Sequence, residues 1–334
     1  MIFKVSNNED DIEKLLFNLK ETYGDYAFIS YIDGEYGIRI SCYNSVVYDF
    51  YKKMKENNIV CIGISFKGTT SFLDNLCDHI IEIDDIEFLS NTKEIIQDNS
   101  QHSLNHSNNV VSSNSYEGND GWNLTYIRGI HCNKYENILL KLNFKNIFYT
   151  LHVDGSRFIN CNGCNNGIIY KINDINMTVD LNVHYLIGRS ITKSKIEINE
   201  KTNKIAIWIR NTNKWSHKNI PENVYKHLFN YCIDNNKTCY VFQDIIPVDL
   251  PINENIIDCT TRYKNRPDFD NFLKVCSTTD IFIGADSGAT QVVAYSSINP
   301  IILCIGRLIC PFHKNIYNIN SCEEMEKIIK NYYQ

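Results

Sequence analysis

Short apolar runs alternate with amphipathic stretches near the start of the chain. The runs predict strands, and the stretches between them repeat apolar residues every three or four positions, which is typical of helices. The predicted helices are Asp11–Tyr23, Ser41–Glu56 and Thr69–Cys77, and the predicted strands are Tyr26–Ile32, Ile59–Ser65 and His79–Ile83. Strands and helices that alternate with short connections predict a parallel sheet covered by helices.

The same alternation returns after residue 200. The predicted strands are Lys204–Ile209, Cys239–Phe242, Ile256–Cys259, Ile281–Ile283 and Ile301–Ile305, and the predicted helices are Pro221–Asn235, Pro267–Cys276, Ala289–Ser297 and Glu323–Tyr332. Proline is well tolerated in a first helical turn, which supports a helix that begins at Pro221. The second half therefore predicts another α/β sheet.

The segment between these halves is more polar. Residues 97–120 are rich in Ser and Asn and contain few large apolar groups, so we interpret them as a mobile surface loop or a disordered insertion. If this insertion becomes ordered when an acceptor binds, it could act as a lid. Further along, Tyr135–Leu142 predicts a helix and Ile147–His152 a strand, whereas 154–182 gives only weak strand signals.

A charged run between residues 188 and 200 contains few apolar groups and suits a connection between domains. A chain of 334 residues also has the length of two domains of about 150 residues each. We therefore predict an α/β protein with two Rossmann-like domains, residues 1–190 with the insertion 97–120, and residues 200–334.

The composition and net charge indicate a globular protein that does not bind nucleic acid. Hydrophobic residues make up 43% of the chain and charged residues 22%, which is typical of a globular protein, and the net charge of −6 disfavours a nucleic-acid partner. No apolar run reaches the roughly 20 residues of a membrane span, and the N-terminal sequence does not have the pattern of a signal peptide. We expect a cytoplasmic protein without an integral membrane segment.

The cysteines and histidines do not predict a metal site. Thirteen cysteines in a chain without a signal peptide are typical of free thiols in a reducing compartment. Cys161 and Cys164 form the only close pair, and a zinc site needs a second pair or two suitably spaced histidines. His102 and His106 lie four residues apart within the polar insertion, where solvated histidines are the expected interpretation.

The turn between the predicted strand at Ile281 and the following helix is a candidate anion site. It contains Asp286, Ser287 and Gly288, with Thr290 at the start of the helix. Backbone N–H groups at a helix start favour an anion, and small residues allow a phosphate to approach. Asp, Ser and Thr are also ordinary helix caps, so a purely structural turn is an equal alternative.

Other turns after strands contain candidate charged groups. Arg210 and Lys214 follow the first strand of the second half and could neutralise a diphosphate. Asp33 and Glu35 follow the first strand of the first half. Because ligands bind at the carboxyl ends of parallel strands, we expect such turns to form a site.

Three further residues are weaker candidates. Asp244 follows the second strand of the second half, and Arg262 and Arg266 precede the next helix. Each could reach the base, the ribose or the sugar of a nucleotide donor.

Two segments resemble known glycosyltransferases. IFIGADSGATQVVAYSSINPIILCIG is similar to the heptosyltransferase pattern, a strand followed by Gly-x-Asp-Ser-Gly, a helix and a strand that begins after Pro. Asp286, Ser287 and Gly288 match that pattern, and Gln291 stands where the family commonly has His. The segment from Lys204 onward thus resembles the nucleotide-sugar half of the two-Rossmann (GT-B) glycosyltransferases.

The second segment, IAIWIRNTNKW, is similar to the His-x-Arg-Arg-x-Asp-Lys stretch of fucosyltransferase-like enzymes. Arg210 and Lys214 are retained. Trp208, Asn211 and Asn213 stand in place of the His, the second Arg and the Asp.

The resemblance implies a metal-independent glycosyltransferase without a cofactor, in which two domains face a cleft. The second domain would bind the nucleotide sugar through Arg210, Lys214 and the turn at Ser287. The first would bind a glycan or glycoconjugate acceptor. An inverting transfer needs a general base, for which Asp33 and Glu35 are the candidates.

The sequence is also compatible with two other functions. A nucleotide-sugar epimerase has the same two-domain architecture. A non-catalytic relative that binds nucleotide sugars or glycans is also compatible, because three polar positions of the fucosyltransferase-like motif are substituted.

Overall fold

The structure is a computed structural model of the chain. It describes residues 1–6, 9–24, 26–30, 44–74, 76–83, 147–150, 168–172, 175–178, 201–213, 216–244, 246–263, 266–296, 298, 300–308 and 315–334. The chain divides into two compact units, Met1–Ile191 and Thr192–Gln334.

The first unit contains a seven-stranded sheet with the order β1-β4-β3-β2-β5-β6-β7. Its strands are β1 (Ile2–Val5), β2 (Ala27–Ser30), β3 (Cys61–Phe66), β4 (His79–Ile83), β5 (Ile147–Thr150), β6 (Ile168–Ile172) and β7 (Ile175–Thr178). Its helices are α1 (Glu9–Tyr23) and α2 (Asn44–Glu56). The strands from β1 to β5 pair in parallel, and β6 and β7 extend the sheet in antiparallel pairing.

Helix α1 packs on this sheet through the apolar face that its sequence predicts. Ile12 and Leu16 are fully buried and form one core cluster with Ile62 of β3 and Ile81 of β4. The hydroxyl of Tyr26 donates to the Leu16 carbonyl at 3.3 Å, which joins the helix to the entrance of β2. The spacing of apolar residues therefore sets the orientation of the helix on the sheet.

The second unit contains a six-stranded, entirely parallel sheet and a short two-stranded ribbon. Its strands are β8 (Lys204–Ile209), β9 (Thr238–Gln243), β10 (Ile256–Asp258), β11 (Arg262–Tyr263), β12 (Arg266–Pro267), β13 (Ile281–Ala285), β14 (Ile301–Ile305) and β15 (Ile316–Ile319). Its helices are α3 (Glu222–Asp234), α4 (Phe269–Cys276), α5 (Gly288–Ala294) and α6 (Cys322–Tyr333).

The two faces of this sheet have different cores. Alternate residues on one face pack with α3 and α6 in a mainly aliphatic cluster, for which Ile207 and Ile283 are the central strand residues. The other face is aromatic. Trp208 lies nearly parallel to Phe242 and Phe269, with ring centroids 6.1 and 5.7 Å apart. Burial on both faces explains why β8 and β13 are almost continuously apolar in sequence.

The strand order of the second unit is β10-β9-β8-β13-β14-β15. Numbered along the chain, with the β11–β12 ribbon left out, this is the order 3-2-1-4-5-6 of a Rossmann sheet. The chain moves outward from β8 to β10, returns through α4, and continues on the other side of β8 with β13. The order therefore reverses between β8 and β13. The prediction of an α/β fold with parallel sheets is confirmed.

Among the described residues, most predicted elements are confirmed to within a few residues, and one helix is different. The predicted helix Tyr135–Leu142 lies outside the described residues. The segment predicted as Thr69–Cys77 forms a 3-10 turn at Thr70–Leu73. Its backbone bonds span three residues, as in the bonds from the Phe72 N–H to the Thr69 carbonyl at 3.2 Å and from the Asp74 N–H to the Ser71 carbonyl at 3.3 Å. A Cβ on Gly63 of β3 would lie 2.9 Å from Leu73, so the turn packs directly on the strand.

The sequence reasoning also missed several strands. It assigned no strand to β1 or β15, and it left the region of β6 and β7 unassigned. Among the described strands, β1 and β15 lie at the edges of their sheets, and each pairs with one neighbour. β15 in particular has two exposed positions among its four residues, so its apolar signal is weak. The predicted helix Ala289–Ser297 is observed as the shorter α5.

Candidate functional site

The candidate site lies at the carboxyl ends of β8 and β13, which are neighbours in the second sheet. Ile207 of β8 is in register with Ile283 of β13. Arg210 directly follows β8, and Asp286 directly follows β13. Because the order of strands reverses here, the connections leave these two strand ends in opposite directions, and such a point is where open α/β sheets bind ligands.

The loop after β8 is held in place by its own hydrogen bonds. The Ile220 N–H donates to the Arg210 carbonyl at 3.1 Å. The Asn219 side chain accepts from the Thr212 N–H at 3.1 Å and donates to the Thr212 carbonyl at 2.9 Å. These three bonds close the loop at its base, and a short 3-10 turn, Ser216–Lys218, follows the part of the loop that the structure does not describe.

The turn after β13 is anchored to the next strand. The Asp286 N–H donates to the Ile305 carbonyl of β14 at 3.2 Å. Gly306 follows that carbonyl with a φ of +108°, a conformation that L side chains rarely adopt, and a Cβ added to it would lie 3.5 Å from the Asp286 Cβ. Backbone geometry on β14 therefore fixes where the Asp286 side chain begins.

Ser287 and Thr290 have different surroundings within this turn. Ser287 occupies the cap position of α5, but its side chain makes no capping hydrogen bond and lies 3.5 Å from the Thr290 hydroxyl. Thr290 is fully buried, and its hydroxyl donates to the Ala285 carbonyl at 2.5 Å. Thr290 therefore stabilises the turn from its buried side.

An ion pair joins the two sides of the site. The Lys218 Nζ lies 3.2 Å from the Asp286 Oδ2, and the two side chains are 39% and 35% exposed. These residues are 68 positions apart in the sequence. The pair brings the 3-10 turn after β8 against the turn after β13. Lys218 was not among the residues that sequence reasoning selected, although it is a cation in the same strand-to-helix connection as Arg210.

A second ion pair lies on the other side of β8. Arg210 Nη1 is 4.0 Å from the Asp244 Oδ2, and both side chains are less than one-fifth exposed, at 19% and 18%. The Asp244 N–H donates to the Ile209 carbonyl at 3.0 Å, which holds the aspartate beside the end of β8. The guanidinium of Arg262 donates to the Gln243 carbonyl, immediately before Asp244, at 2.5 Å.

Electrostatics around these groups are set by burial and by the nearby carboxylates. Burial lowers the pKa of Arg262, while Asp244 and Asp258 act in the opposite direction. Burial also raises the pKa of Cys304 to about 12, and the charge of Asp286 contributes to the same shift. This shift favours the protonated form of the Cys304 thiol at neutral pH.

The structure brings together five of the residues predicted from sequence. Arg210, Asp244, Asp286, Ser287 and Gly288 all lie at the carboxyl ends of β8, β9 and β13. Their contact with a donor stays a prediction. Among described residues, no group of three or more His, Cys, Asp or Glu is arranged to hold a metal ion.

Several candidates lie outside the described residues. These are Asp33 and Glu35, which follow Ser30 at the end of β2, and Lys214 in the loop after β8. The cysteine pair and the polar insertion 97–120 also lie outside them. Trp208, in contrast, is described and is 6% exposed within the aromatic core. The position where the fucosyltransferase-like motif has His is thus a core position in this chain.

The chain resembles known proteins in its structure and not in its sequence. No protein-family model matches the sequence, and no curated protein matches it. Among the solved structures, the chain is similar to an E. coli heptosyltransferase bound to ADP-2-deoxy-2-fluoro heptose, with 8% identity, a TM-score of 0.42 and coverage of 92% of this chain and 99% of the other.

Two further structures have comparable similarity. E. coli ADP-heptose lps heptosyltransferase II is 9% identical, with a TM-score of 0.46 and coverage of 92% and 100%. A family 9 glycosyl transferase from Veillonella parvula is 13% identical, with a TM-score of 0.39 and coverage of 92% and 91%. At these identities and TM-scores, such a similarity does not establish a function.

In the part of the chain that the structure describes, no helix combines the length and apolar character that a membrane span needs.

Proposed function

We propose that the protein is a glycosyltransferase that moves a sugar from a nucleoside diphosphate donor to a hydroxyl of a glycan or glycoconjugate, with inversion at the sugar carbon. The observation that carries this proposal is the 3-2-1-4-5-6 strand order of the second sheet. It brings Arg210 and the turn at Asp286–Gly288 to the two sides of the point where that order reverses.

The chemistry of the site suits a diphosphate. Arg210 can hold two phosphate oxygens with its planar guanidinium, and Lys218 adds a point charge from the same connection. The backbone N–H groups of Ser287 and Gly288 are further donors at the start of α5. Together with Lys214, these groups would stabilise the charge that develops on the leaving diphosphate and take the place of a divalent cation.

The two carboxylates at this edge have a different use. Asp244 follows β9, the second strand of the Rossmann order, where an acidic side chain can accept hydrogen bonds from ribose hydroxyls. Asp286 holds Lys218 in place. The charges of these two ion pairs sum to zero, so binding should depend on hydrogen-bond geometry as well as on attraction.

The proposed transfer is a displacement at the anomeric carbon of the donor sugar. The acceptor oxygen attacks the anomeric carbon as the bond from that carbon to the diphosphate oxygen breaks, and the diphosphate leaves with the electron pair. A general base takes the proton of the acceptor hydroxyl. Asp33 and Glu35 are our candidates for that base. The transferred sugar would be a hexose, a deoxyhexose or a heptose.

The first test is thermal unfolding with UDP, GDP, ADP, CMP and dTDP, each with and without EDTA. A ligand that binds only the folded chain raises the midpoint by mass action. We expect one nucleoside diphosphate to raise it without any effect of EDTA. Arg210→Ala should lower the affinity for that ligand by roughly tenfold to a hundredfold, the range for a lost charge-assisted hydrogen bond.

No shift with any of these nucleotides would contradict the proposal and would leave the turn at Ser287 as a structural turn. A shift that EDTA removes would contradict metal independence. Lys226→Ala is the matched control, because Lys226 is an exposed lysine on α3 that pairs with Glu222 within its own helix.

Product analysis separates the alternatives. Incubation of the donor without an acceptor would give slow hydrolysis by a transferase and an isomerised nucleotide sugar by an epimerase. Binding without any turnover would favour a non-catalytic relative. Trp208 supports the last alternative, because the position that carries a polar His in the fucosyltransferase-like motif is buried in the aromatic core of this chain.

The general base has a test of its own. Asp33→Asn and Glu35→Gln, compared singly in transfer assays, would identify it.

A further inference from the structure

We infer that a polar cluster at the ends of β9 and β10 binds the nucleobase of the donor and selects guanine. This base cluster consists of Gln243, Asp258, Thr260 and Arg262. Its basis is that one buried glutamine holds a guanidinium and a carboxylate at the same edge of the sheet. The inference rests on the proposed function and adds the class of donor, a guanosine diphosphate sugar.

The base cluster lies where the base of a bound nucleotide is expected. The proposed diphosphate lies at the ends of β8 and β13, and Asp244, after β9, is the candidate partner of the ribose. The next strand in the same direction is β10. Neighbouring strands are about 4.8 Å apart, a spacing comparable with the size of one sugar ring. A nucleotide that continues past Asp244 therefore brings its base to the end of β10.

Gln243 is the centre of the base cluster and is only 6% exposed. Its Nε2 donates to the Asp258 Oδ2 at 3.0 Å, and its Oε1 accepts from the Val248 N–H at 2.7 Å. Its own N–H donates to the Thr260 hydroxyl at 2.9 Å, and its carbonyl accepts from the Arg262 guanidinium at 2.5 Å. Because one buried residue fixes both charged groups, little conformational freedom is lost when a ligand binds them.

The two charged groups keep hydrogen-bonding capacity for a ligand. A guanidinium has five N–H donors, and that of Arg262 makes one hydrogen bond among the described residues. The exposed carboxylate of Asp258 accepts from Gln243 and from the Thr260 N–H, which leaves about half of its lone-pair sites. Within the described part of the chain, Arg262 and Asp258 form no ion pair with each other, so a base can bind to both.

Guanine matches this combination of a donor and an acceptor. Its O6 and N7 are acceptors that an arginine can bind in a bidentate manner, and its N1–H and N2 amino group are donors for a carboxylate. Adenine has an amino group in place of O6 and no N1–H, so it would face Arg262 with a donor and Asp258 with an acceptor. Uracil offers one acceptor, O4, and one donor, N3–H. A site whose polar groups are left unpaired binds the wrong ligand much more weakly.

The experiment measures the affinity of the wild-type chain for several diphosphates by calorimetry. The ligands are GDP, ADP, UDP, inosine diphosphate and xanthosine diphosphate. We expect GDP to bind roughly tenfold or more tightly than ADP, since contacts to both charged groups are lost in ADP. Inosine diphosphate lacks the N2 amino group and should bind between these two. Xanthosine diphosphate has a carbonyl at that position, which would face the carboxylate of Asp258, and should bind weakly.

Two variants assign the contacts. Asp258→Asn replaces a carboxylate oxygen with an amide donor, so it should weaken GDP, strengthen xanthosine diphosphate and change their ratio by roughly tenfold or more. Arg262→Met should reduce the preference for GDP over ADP by roughly tenfold, the effect of one charge-assisted bond. A purely structural role of either residue would lower all affinities alike. Asp234→Asn is the matched control, because Asp234 is an exposed aspartate at the end of α3, before the amino end of β9, and it should change none of them.

A preference for GDP that shifts toward xanthosine diphosphate in Asp258→Asn supports the inference. A wild-type chain that prefers ADP or UDP overturns it and leaves the proposed function in place. Equal losses for all ligands in both variants, or a preference for GDP that neither variant changes, would also overturn it. If the wild-type chain binds no nucleoside diphosphate, the proposed function fails and the inference fails with it. The comparison of bases on the wild-type chain needs no variant, so an unfolded variant does not remove the test.

Discussion

Two aspartates flank β13 and have opposite surroundings. Asp280 directly precedes the strand, is 3% exposed, and its two oxygens accept from the Thr202 N–H at 2.9 and 3.0 Å. Tyr333, at the end of α6, donates its hydroxyl to Asp280 at 3.0 Å. Asp286 directly follows the strand, is 35% exposed, and its side-chain contact among described residues is the ion pair with Lys218.

The difference shows how one strand serves two purposes. At the amino end, a carboxylate is saturated with hydrogen bonds and ties the strand to its neighbours, so it has a structural role. At the carboxyl end, the carboxylate and its counter-ion remain accessible to solvent and to a ligand. Burial and full hydrogen bonding stabilise a fold, whereas partly exposed charges are available for binding.

The first unit also contains a hydrogen-bonded aspartate directly before a strand, like Asp280 in the second unit. Asp78 directly precedes β4 and accepts from the N–H of Cys61, the first residue of β3, at 2.9 Å. Tyr51 of α2 donates to it at 3.2 Å, and Lys55 donates at 3.0 Å. In both units, then, an aspartate before a strand receives a backbone N–H from an adjacent strand or its lead-in, and a hydroxyl from a helical tyrosine.

The largest expected effect comes from Asp280→Ala. Removal of this carboxylate leaves the Thr202 N–H and the Tyr333 hydroxyl without their acceptor, and the loss should be about 3–5 kcal/mol of unfolding free energy, as for other broken buried networks. Asp286→Ala should cost less than about 1 kcal/mol, since partly exposed pairs contribute little. Urea unfolding of both variants measures the contrast. Similar losses for the two would show that the two ends of β13 do not differ as described.

Gly284→Ala tests whether close packing around Gly284 stabilises the turn at the carboxyl end of β13. A Cβ at this position would lie 2.3 Å from the Thr290 hydroxyl oxygen and 3.0 Å from the ring of Phe282. Thr290 is held by its bond to the Ala285 carbonyl, so the turn must shift. We expect a loss of about 1–3 kcal/mol, as for other overpacked cores, together with weaker nucleotide binding.

The measurements for Gly284→Ala are urea unfolding and calorimetric titration with the diphosphate that stabilises the wild type. Gly24→Ala is the contrasting variant, because Gly24 has a φ of +70°, which alanine rarely adopts, but its added Cβ would meet no atom within 4 Å. A stability loss at Gly284 without any change in binding would separate the packing of the turn from its proposed use.

The smallest expected effect concerns the pH dependence of Asp78. Burial alone would raise its pKa, but the hydrogen bonds from Cys61, Lys55 and Tyr51 lower it below the ordinary value. A lowered folded-state pKa contributes stability above the unfolded-state pKa of about 3.9, and that contribution is lost as pH falls through the folded-state value. The difference in unfolding free energy between the wild type and Asp78→Asn should therefore shrink below about pH 4.

Unfolding of both chains by urea from pH 6 downward measures this difference. Lys55→Gln removes one of the three donors and should reduce the pH-dependent part without abolishing it. A difference that stays constant over the acid range would mean that the Asp78 hydrogen bonds do not stabilise its charged form, and the parallel between the two units would be lost.

Local pattern in the sequence was sufficient for most of the elements. The apolar runs at β8 and β13 predict buried strands because both faces of each strand are covered, and Ile12, Leu16 and Leu19 predict the buried face of α1. Pattern failed where it is weak, as at β15, and at Thr70–Leu73, where the structure has a 3-10 turn packed on β3 instead of the predicted helix.

The candidate site was predicted in part for the same reason. Residues that directly follow a strand, such as Arg210 and Asp286, can be selected from sequence because the strand itself is recognisable. Lys218 could not be selected in this way, since nothing in its local sequence points to Asp286. Burial of Thr290 could not be foreseen either, because it depends on the space beside Gly284.

The sequence by itself determined the alternation of strands and helices, the α/β class and the identity of the charged residues after each strand. Only the tertiary structure decided which strand ends are neighbours. The chain crosses from β10 back to β13, so β8 and β13 become adjacent although other strands separate them in sequence. Side-chain periodicity is a local property, whereas strand order depends on packing over the whole unit, and the pairing of Lys218 with Asp286 follows from that order.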